Sequence, residues 1–374
     1  MFKNIFLLFI FILSFTTIPG CWDGQDITDR SILLVGGLDL NETEELQFGQ
    51  PTIYDVTVLT PNLEPQAPSK VRITTMAGSS IAGTRDLRAY INPKTFIPGI
   101  IKVELIGEKI AAKGVRPILD SLYRNPQTPG SVVMAVTEGR TDRIINTKPE
   151  DWDNVAILLE MLLEEADKRA FLPVTTLQKF ISQASAKGKN PVVPLIRKEN
   201  EDITISGTGI FNKDKLIAKI STAETRSLVL LRGLKATGYI PYTINRDKVI
   251  DRGTILVKNK RKVKLQRSRD EFIFQININL DGTLVDHENK QKFTDNKAML
   301  EMIEEQVAAD IKNECTQFIR KMQSDFKTDC IDISKYALAQ WRKELEDQID
   351  EGFIEKAIIN VNVKVNLKNT GALN

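Results

Sequence analysis

The hydropathy pattern is cleanest near the C-terminal end of the chain. From Glu271 to Leu280, Phe272, Phe274, Ile276, Ile278 and Leu280 alternate with Gln275, Asn277 and Asn279. That is the period of a strand with one buried face. The closing AIINVNVKVNLKNTG repeats it, with Ile359, Val361, Val363, Val365 and Leu367 set against Asn360, Asn362, Lys364 and Asn366. It reads as a half-buried antiparallel strand. Between them, from Asn296 to about Lys327, Leu300, Ile303, Val307, Ile311, Cys315, Phe318, Met322 and Phe326 recur at helical spacing. A second helix, Ser334–Gln348, carries Tyr336, Leu338, Trp341 and Leu345. The pattern predicts a twisted antiparallel sheet with a long helix packed across its apolar face.

The N-terminal half mixes the two periods. Ser31–Leu40 is an apolar run broken by Gly36 and Gly37, which marks a buried strand with a bulge or a close backbone approach. Thr52–Leu59 alternates, with Tyr54, Val56 and Val58 on its apolar face, and stops at the Pro61–Pro68 stretch. Lys70–Ala77, Lys102–Ile106 and Val132–Thr137 read as further strands. Asp86–Tyr90, Glu108–Lys113 and Arg116–Tyr123 read as helices, with Gly114 as a C-terminal stop. A stronger helix runs through Val155, Leu158, Leu159, Leu162, Leu163 and Ala166, with Asp151 or Asp153 as its cap. Leu177, Phe180, Ile181 and Ala184 define another behind Thr175 and Thr176. Alternating strands and helices predict a mixed sheet covered by helices.

The polar stretch Arg197–Asp202 marks a boundary. Beyond it come Ile203–Phe211, the turn Asn212–Lys215, Leu216–Ile220, a helix around Thr225–Leu234 and the strand Thr254–Lys264. The fold class is therefore α+β and multi-domain. An N-terminal mixed sheet with helices covers 21–200, a small middle α/β unit covers 201–265, and the C-terminal sheet with its long helix covers 266–374.

Residues 1–20 have a different character. Lys3, an apolar core from Ile5 to Phe15, and then Thr16, Thr17, Pro19 and Gly20 give the order of a secretory signal. A core of roughly eleven residues falls short of the about 20 that span a bilayer. The Ile-Pro-Gly-Cys ending reads as a bacterial lipobox, which makes Cys21 the lipidation site. A plain secretory signal with a chance cysteine is the alternative. One acyl chain holds only marginally, at about 0.8 kcal/mol per buried methylene, whereas a diacylglyceryl group supplies the two chains a stable anchor needs.

Composition narrows the function. The chain has 374 residues, with 51 basic and 49 acidic side chains and a net charge of +2. That balance argues against nucleic-acid binding. Besides Cys21 there are only Cys315 and Cys330, read as two small buried thiols in preference to a disulfide. The single histidine, His287, lies in the polar LDGTLVDHEN and reads as an exposed loop residue. One histidine and two distant cysteines make no zinc site of the usual type, and no G-x-S-x-G elbow is present. Ser206-Gly-Thr-Gly209 lacks the Gly-Lys-Ser/Thr of a phosphate loop and reads as a strand that needs glycine. Glu108, Glu164 and Glu165 read as solvated helical acids. The basic run Lys258–Lys264 reads as a charged edge strand in preference to a lipid-headgroup contact. Glu224-Thr-Arg226 reads as a structural acid–base pair. No catalytic or metal-binding constellation emerges.

Four segments, in order, resemble the spore-germination lipoproteins of the Ger(x)C family, the C subunits of nutrient germinant receptors. They are GCWDGQDITDRSILLVGGLDL, VELIGEKIAAKGVRPILDSLYRNPQTP, GTGIFNKDKLIAKISTAETRSLVLLRG and the terminal VNVKVNLKNTG. DFKTDCIDISKYALAQW departs from the family's Gly- and Phe-containing approach to the C-terminal helix. The resemblance implies three domains, no known enzymatic activity, and no cofactor beyond the covalent lipid on Cys21. It also implies a place on the outer face of the spore inner membrane, beside integral A- and B-type receptor subunits. A solute-binding lipoprotein serving a membrane transporter is the alternative from a second class, and a lipid-tethered hydrolase is a third.

Overall fold

The structure is a computed structural model and describes residues 26–370, apart from 44–45, 48, 65, 247–248 and 289–296. Cys21, the leader and Asn296 lie outside the described residues. Two sheets organise the chain. The first contains β1 (Val35–Leu40), β2 (Tyr54–Pro61), β3 (Val71–Gly78), β4 (Val103–Gly107), β5 (Val133–Thr137), β6 (Val192–Glu199), β7 (Asp202–Asn212) and β8 (Lys215–Ser221). Their order is β8-β7-β6-β5-β4-β1-β2-β3, and the short strand Thr175–Thr176 pairs with β5. The central strands β1, β4, β5 and β6 run parallel. Antiparallel hairpins extend the sheet at both ends.

Parallel strands joined by crossover helices are covered on both faces and so are apolar on both. β4 is accordingly buried along its whole length. Ile110 of α1 (Glu108–Lys113), Ile118 and Leu122 of α2 (Arg116–Tyr123), and Phe180 of α3 (Leu177–Ser185) fill one face. Ile144 and Ile145 of the helix Thr141–Ile145, with Leu159 and Leu163 of the helix Val155–Arg169, fill the other. The cap of the latter helix is Asn154, which accepts from the N–H groups of Ala156 and Ile157. Asn154 directly precedes the first helical residue, so its side chain reaches the orphan donors that Asp151 and Asp153 miss. Gly36 and Gly37 form no bulge, because β1 pairs without a register shift on either side. They permit close approach: a Cβ on Gly36 would stand 2.5 Å from Glu104 Oε2, and one on Gly37 2.5 Å from Thr141 Oγ1.

The second sheet contains β9 (Thr237–Arg246), β10 (Val249–Ser268), β11 (Glu271–His287) and β12 (Ile358–Thr370), in that order. α4 (Thr222–Arg232) precedes it. Between β11 and β12 come α5 (Lys297–Lys321), a π-helical turn Met322–Phe326, and α6 (Ser334–Leu345). Ile303, Val307, Ile311, Cys315 and Phe318 of α5 share one core with Phe274, Ile276, Ile278, Leu280, Val361 and Val365 of the sheet. Met299, not Leu300, starts the buried stripe.

Two expectations change here. β12 pairs with β11 in parallel. The alternation reports only that one face is covered. The direction is set by the connection, in which α5 and α6 carry the chain back along the sheet before β12 begins. The stretch 201–265 is shared between the two sheets. β7 and β8 complete the first sheet through the β6–β7 hairpin, whose turn at 200–201 places Asn200 at φ 56°. β9 and β10 belong to the second. α4 bridges the two, packing Leu228–Leu231 into a core that includes Ile210 and Ile220 of the first sheet and Ile255 and Val257 of the second.

Candidate interaction site

The block around Glu224-Thr-Arg226 is the mechanical joint of the protein. Ser221 and Glu224 form a reciprocal capping box at the start of α4, which satisfies two of its orphan N–H groups. Glu224 also takes Lys321 at 2.6 Å, and Arg226 Nη2 lies 2.7 and 2.8 Å from the two Glu314 oxygens. Both links tie α4 to α5. At its other end, Arg232 is buried and donates to the carbonyls of Cys330 and Asn190 and pairs with Asp332. Asn190 in turn donates to the Asp329 carbonyl and accepts from Lys213 N–H. Lys213 Nζ then reaches Asp350 at 2.9 Å. The two sheets are thus linked through side chains of α4, α5 and the segments that connect the strands, most of them withdrawn from water, where polar contacts are stronger than at the surface.

The departing segment DFKTDCIDISKYALAQW builds this joint. Asp329 accepts from the N–H groups of Ile331, Ile333 and Ser334 and so caps α6. Burial still pushes its carboxyl above the ordinary carboxylate range. Cys330 and Cys315 are free and buried. Burial pushes the Cys315 thiol up to about 12, which keeps it protonated and unreactive.

The C-terminal body presents two polar faces. On the open face of the sheet, Lys258, Lys260, Lys262 and Lys264 of β10 stand opposite Asp281, Asn279, Asn277 and Gln275 of β11. Asn360, Asn362, Lys364 and Asn366 of β12 continue those rows. β9 pairing ends at Lys258, so the basic run is an edge from Lys260 onward, as read from the sequence. On the opposite side, α5 exposes the acids Glu301, Glu305 and Asp310 together with the bases Lys297, Lys312 and Arg320. Such surfaces fit docking by charge and hydrogen bonds, not covalent chemistry.

The remaining sequence candidates are structural. His287 ends β11, where its Nδ1 lies 2.8 Å from the Tyr242 hydroxyl and its ring stacks on that tyrosine. It is not an exposed loop residue: β10 and β11 run further than their apolar alternation suggested, carrying His287 to a site opposite Gly253. Ser206-Gly-Thr-Gly209 lies in β7, where a side chain on Gly207 would strike the Ile220 carbonyl. Glu108 pairs with Lys219 at 2.6 Å, and Glu164 with Lys168 at 3.3 Å. Sequence reading passed over Glu104, a fully buried acid in β4. The available signal was an acid in an otherwise apolar strand.

Among the described residues, no group of three or more His, Cys, Asp or Glu is placed to hold a metal ion. No described helix is long and apolar enough to cross a membrane. The fold and its joint define a multi-domain α+β scaffold. Residues 23–198 match the family described as spore germination protein N-terminal domain, and residues 206–371 match spore germination B3/GerAC-like, C-terminal. The chain belongs to this family of spore germination proteins. It is 24% identical over 354 residues to spore germination protein B3 of Bacillus subtilis (strain 168), covering 90% of each chain. It is 22% identical over 277 residues to spore germination protein GerQC of Bacillus cereus, covering 72% of this chain and 75% of that one. The crystal structure of the GerBC protein shares the fold, with a TM-score of 0.58, 19% identity, and coverage of 89% of this chain and 97% of that one.

Proposed function

We propose that this protein is the lipid-anchored, non-enzymatic C-type subunit of a nutrient germinant receptor, required for nutrient-triggered spore germination. One observation carries the reading: the two spore-germination families span residues 23–198 and 206–371, directly behind a leader ending Ile-Pro-Gly-Cys21. Cys21 receives the diacylglyceryl group, and the body lies on the outer face of the spore inner membrane. A- and B-type integral membrane subunits are its partners, and no cofactor beyond the lipid enters. The antiparallel β9–β10–β11 meander disfavours a solute-binding lipoprotein, which would be built from two lobes of repeated parallel units. The test is nutrient-triggered dipicolinate release from spores lacking this gene, rescued with the wild-type or the Cys21→Ala allele. Loss of response to particular nutrients, restored fully only by the wild-type allele, supports both subunit and anchor. Normal germination with every nutrient, in a strain carrying no paralogous receptor, overturns the reading.

A further inference from the structure

A lipid on Cys21 would decide which end of the body faces the bilayer. Asp26 lies five residues beyond Cys21, and an extended chain spans at most about 3.6 Å per residue, so Asp26 stays within about 18 Å of the acylated cysteine. From there the chain forms the short strand Arg30–Ile32, parallel to Thr95–Ile97, and then β1. β4 starts beside the start of β1, and β5 beside the start of β4, all running the same way. The tether therefore holds the end of the first sheet at which its central parallel strands begin. The six residues of β1 put about 20 Å between that end and the other.

That end exposes large apolar side chains. Ile27 is 60% exposed, Tyr90 81%, Ile91 49% and Ile100 50%. Local bonds place them together. The Ile91 carbonyl accepts from Arg72 Nη2 at 3.3 Å. Arg72 pairs with Thr60, at the end of β2 that lies beside the start of β1. Asn92 Nδ2 donates to Ser31 Oγ at 3.3 Å, which ties the same segment to the strand Arg30–Ile32. Ile100 lies in a turn closed by the Ile101 N–H on the Pro98 carbonyl, and the Lys102 N–H then reaches the Leu34 carbonyl just before β1. Apolar side chains scattered singly over a surface need no explanation, but these four share the tethered end. Leu46 and Ile53 are exposed too, yet they lie past the far end of β1, where the Asn41 N–H meets the Ile53 carbonyl.

We propose that this end of the first sheet rests on the bilayer surface, with Ile27, Tyr90, Ile91 and Ile100 set into the headgroup region and the exposed Arg72 guanidinium meeting lipid phosphates. The inference rests on the Cys21 anchor of the receptor reading and adds the face that the anchor brings to the membrane. Asp26 and Asp29 flank Ile27 and are exposed. Ionised carboxylates are costly to bury, so the contact is shallow, with side chains entering the interface while the backbone stays above it. Tyr90 suits that depth, because its ring is apolar and its hydroxyl remains among polar headgroups. The lipid alone would let the body swing on its tether. The added contacts fix its orientation, with the 200–201 turn, which follows β6 at the opposite end of the sheet, directed away from the membrane.

The experiment reconstitutes the lipidated full chain in vesicles of phosphatidylethanolamine and phosphatidylglycerol. A nitrobenzoxadiazole label is placed in turn on Ile91→Cys, Ile100→Cys, Glu42→Cys and Glu201→Cys, all at exposed positions. Cys315 and Cys330 are buried and stay unlabelled in the native protein. Lipids with a nitroxide on the headgroup then quench labels that lie at the interface. We expect quenching at Ile91 and Ile100 to exceed that at Glu42 and Glu201, which mark the far end, by at least about threefold. Tyr90→Ser together with Ile91→Ser should lower quenching at the Ile100 label at least about twofold. Flotation of the wild-type chain with the vesicles reports the anchor by itself. Flotation with equal quenching at all four sites, or stronger quenching at Glu42 and Glu201, overturns the proposed face and leaves the anchor standing. A chain that does not float overturns both. Labels at Ile91 and Ile100 that are shielded only once the integral A- and B-type subunits are added would make this face a protein interface, which also overturns the proposal.

Discussion

Replacing Glu104 by glutamine should stabilise this protein, and increasingly so as the pH rises from 5 to 8. The unfolded chain releases the Glu104 proton near the ordinary 4.5, whereas burial holds it in the folded state to about 8. Between those values the folded state binds one more proton than the unfolded state, so stability falls as pH rises. The slope is about 1.4 kcal/mol per pH unit, which accumulates to about 5 kcal/mol across the window. Glutamine keeps the shape and carries no charge in either state, so it escapes this loss. Denaturant unfolding of both proteins at pH 5, 6.5 and 8 isolates the effect, because every other titrating group is common to both. The glutamine variant should gain about 3–4 kcal/mol on the wild type between pH 5 and 8. A difference that stays flat across that range, or moves the other way, would show that Glu104 titrates as an ordinary solvated acid and refute the reasoning.

Other outcomes follow from the joint and the surfaces. Arg232→Met should cost about 3–5 kcal/mol, because it strands the Cys330 and Asn190 carbonyls and leaves Asp332 without its partner; a loss under 1 kcal/mol in denaturant unfolding would contradict the clamp. Arg226→Met, at a half-exposed pair with Glu314, should cost only about 1 kcal/mol, measured the same way. Cys315 and Cys330 should resist a thiol reagent in the native protein and react once it is unfolded, and rapid native labelling of either would refute their burial. Charge reversal at Glu301, Glu305 and Asp310 should weaken co-isolation with membrane partners while leaving the unfolding midpoint unchanged.

The alternating and helical periods of residues 271–367 made the second sheet and its long helix legible, because one covered face imposes a visible period. They did not reveal that β12 runs parallel to β11, since pairing direction depends on the returning connection. The hairpin turns at 200–201 and 213–214 were visible as polar breaks, but the sheet that β7 and β8 would join was not, because hairpin strands read alike in either sheet. His287 looked like a loop residue because the polar end of β11 is held by cross-strand hydrogen bonds, not by apolar alternation. Gly36 signalled a close approach, yet its neighbour Glu104 was hidden in KVELI, since partners in a parallel pair belong to strands far apart in sequence. Arg232 was hidden for the same reason. The groups it holds lie 42 and 98 residues away.

The most direct measurement is isolation of a tagged form of this chain from detergent-solubilised spore inner membranes, with the Cys21→Ala variant alongside. The receptor reading requires that two multi-spanning A- and B-type subunits come with the wild-type chain, and that Cys21→Ala leaves a folded body that no longer fractionates with the membrane. Recovery of the wild-type chain with the components of an ATP-driven transporter instead, or unchanged membrane fractionation of Cys21→Ala, would contradict it.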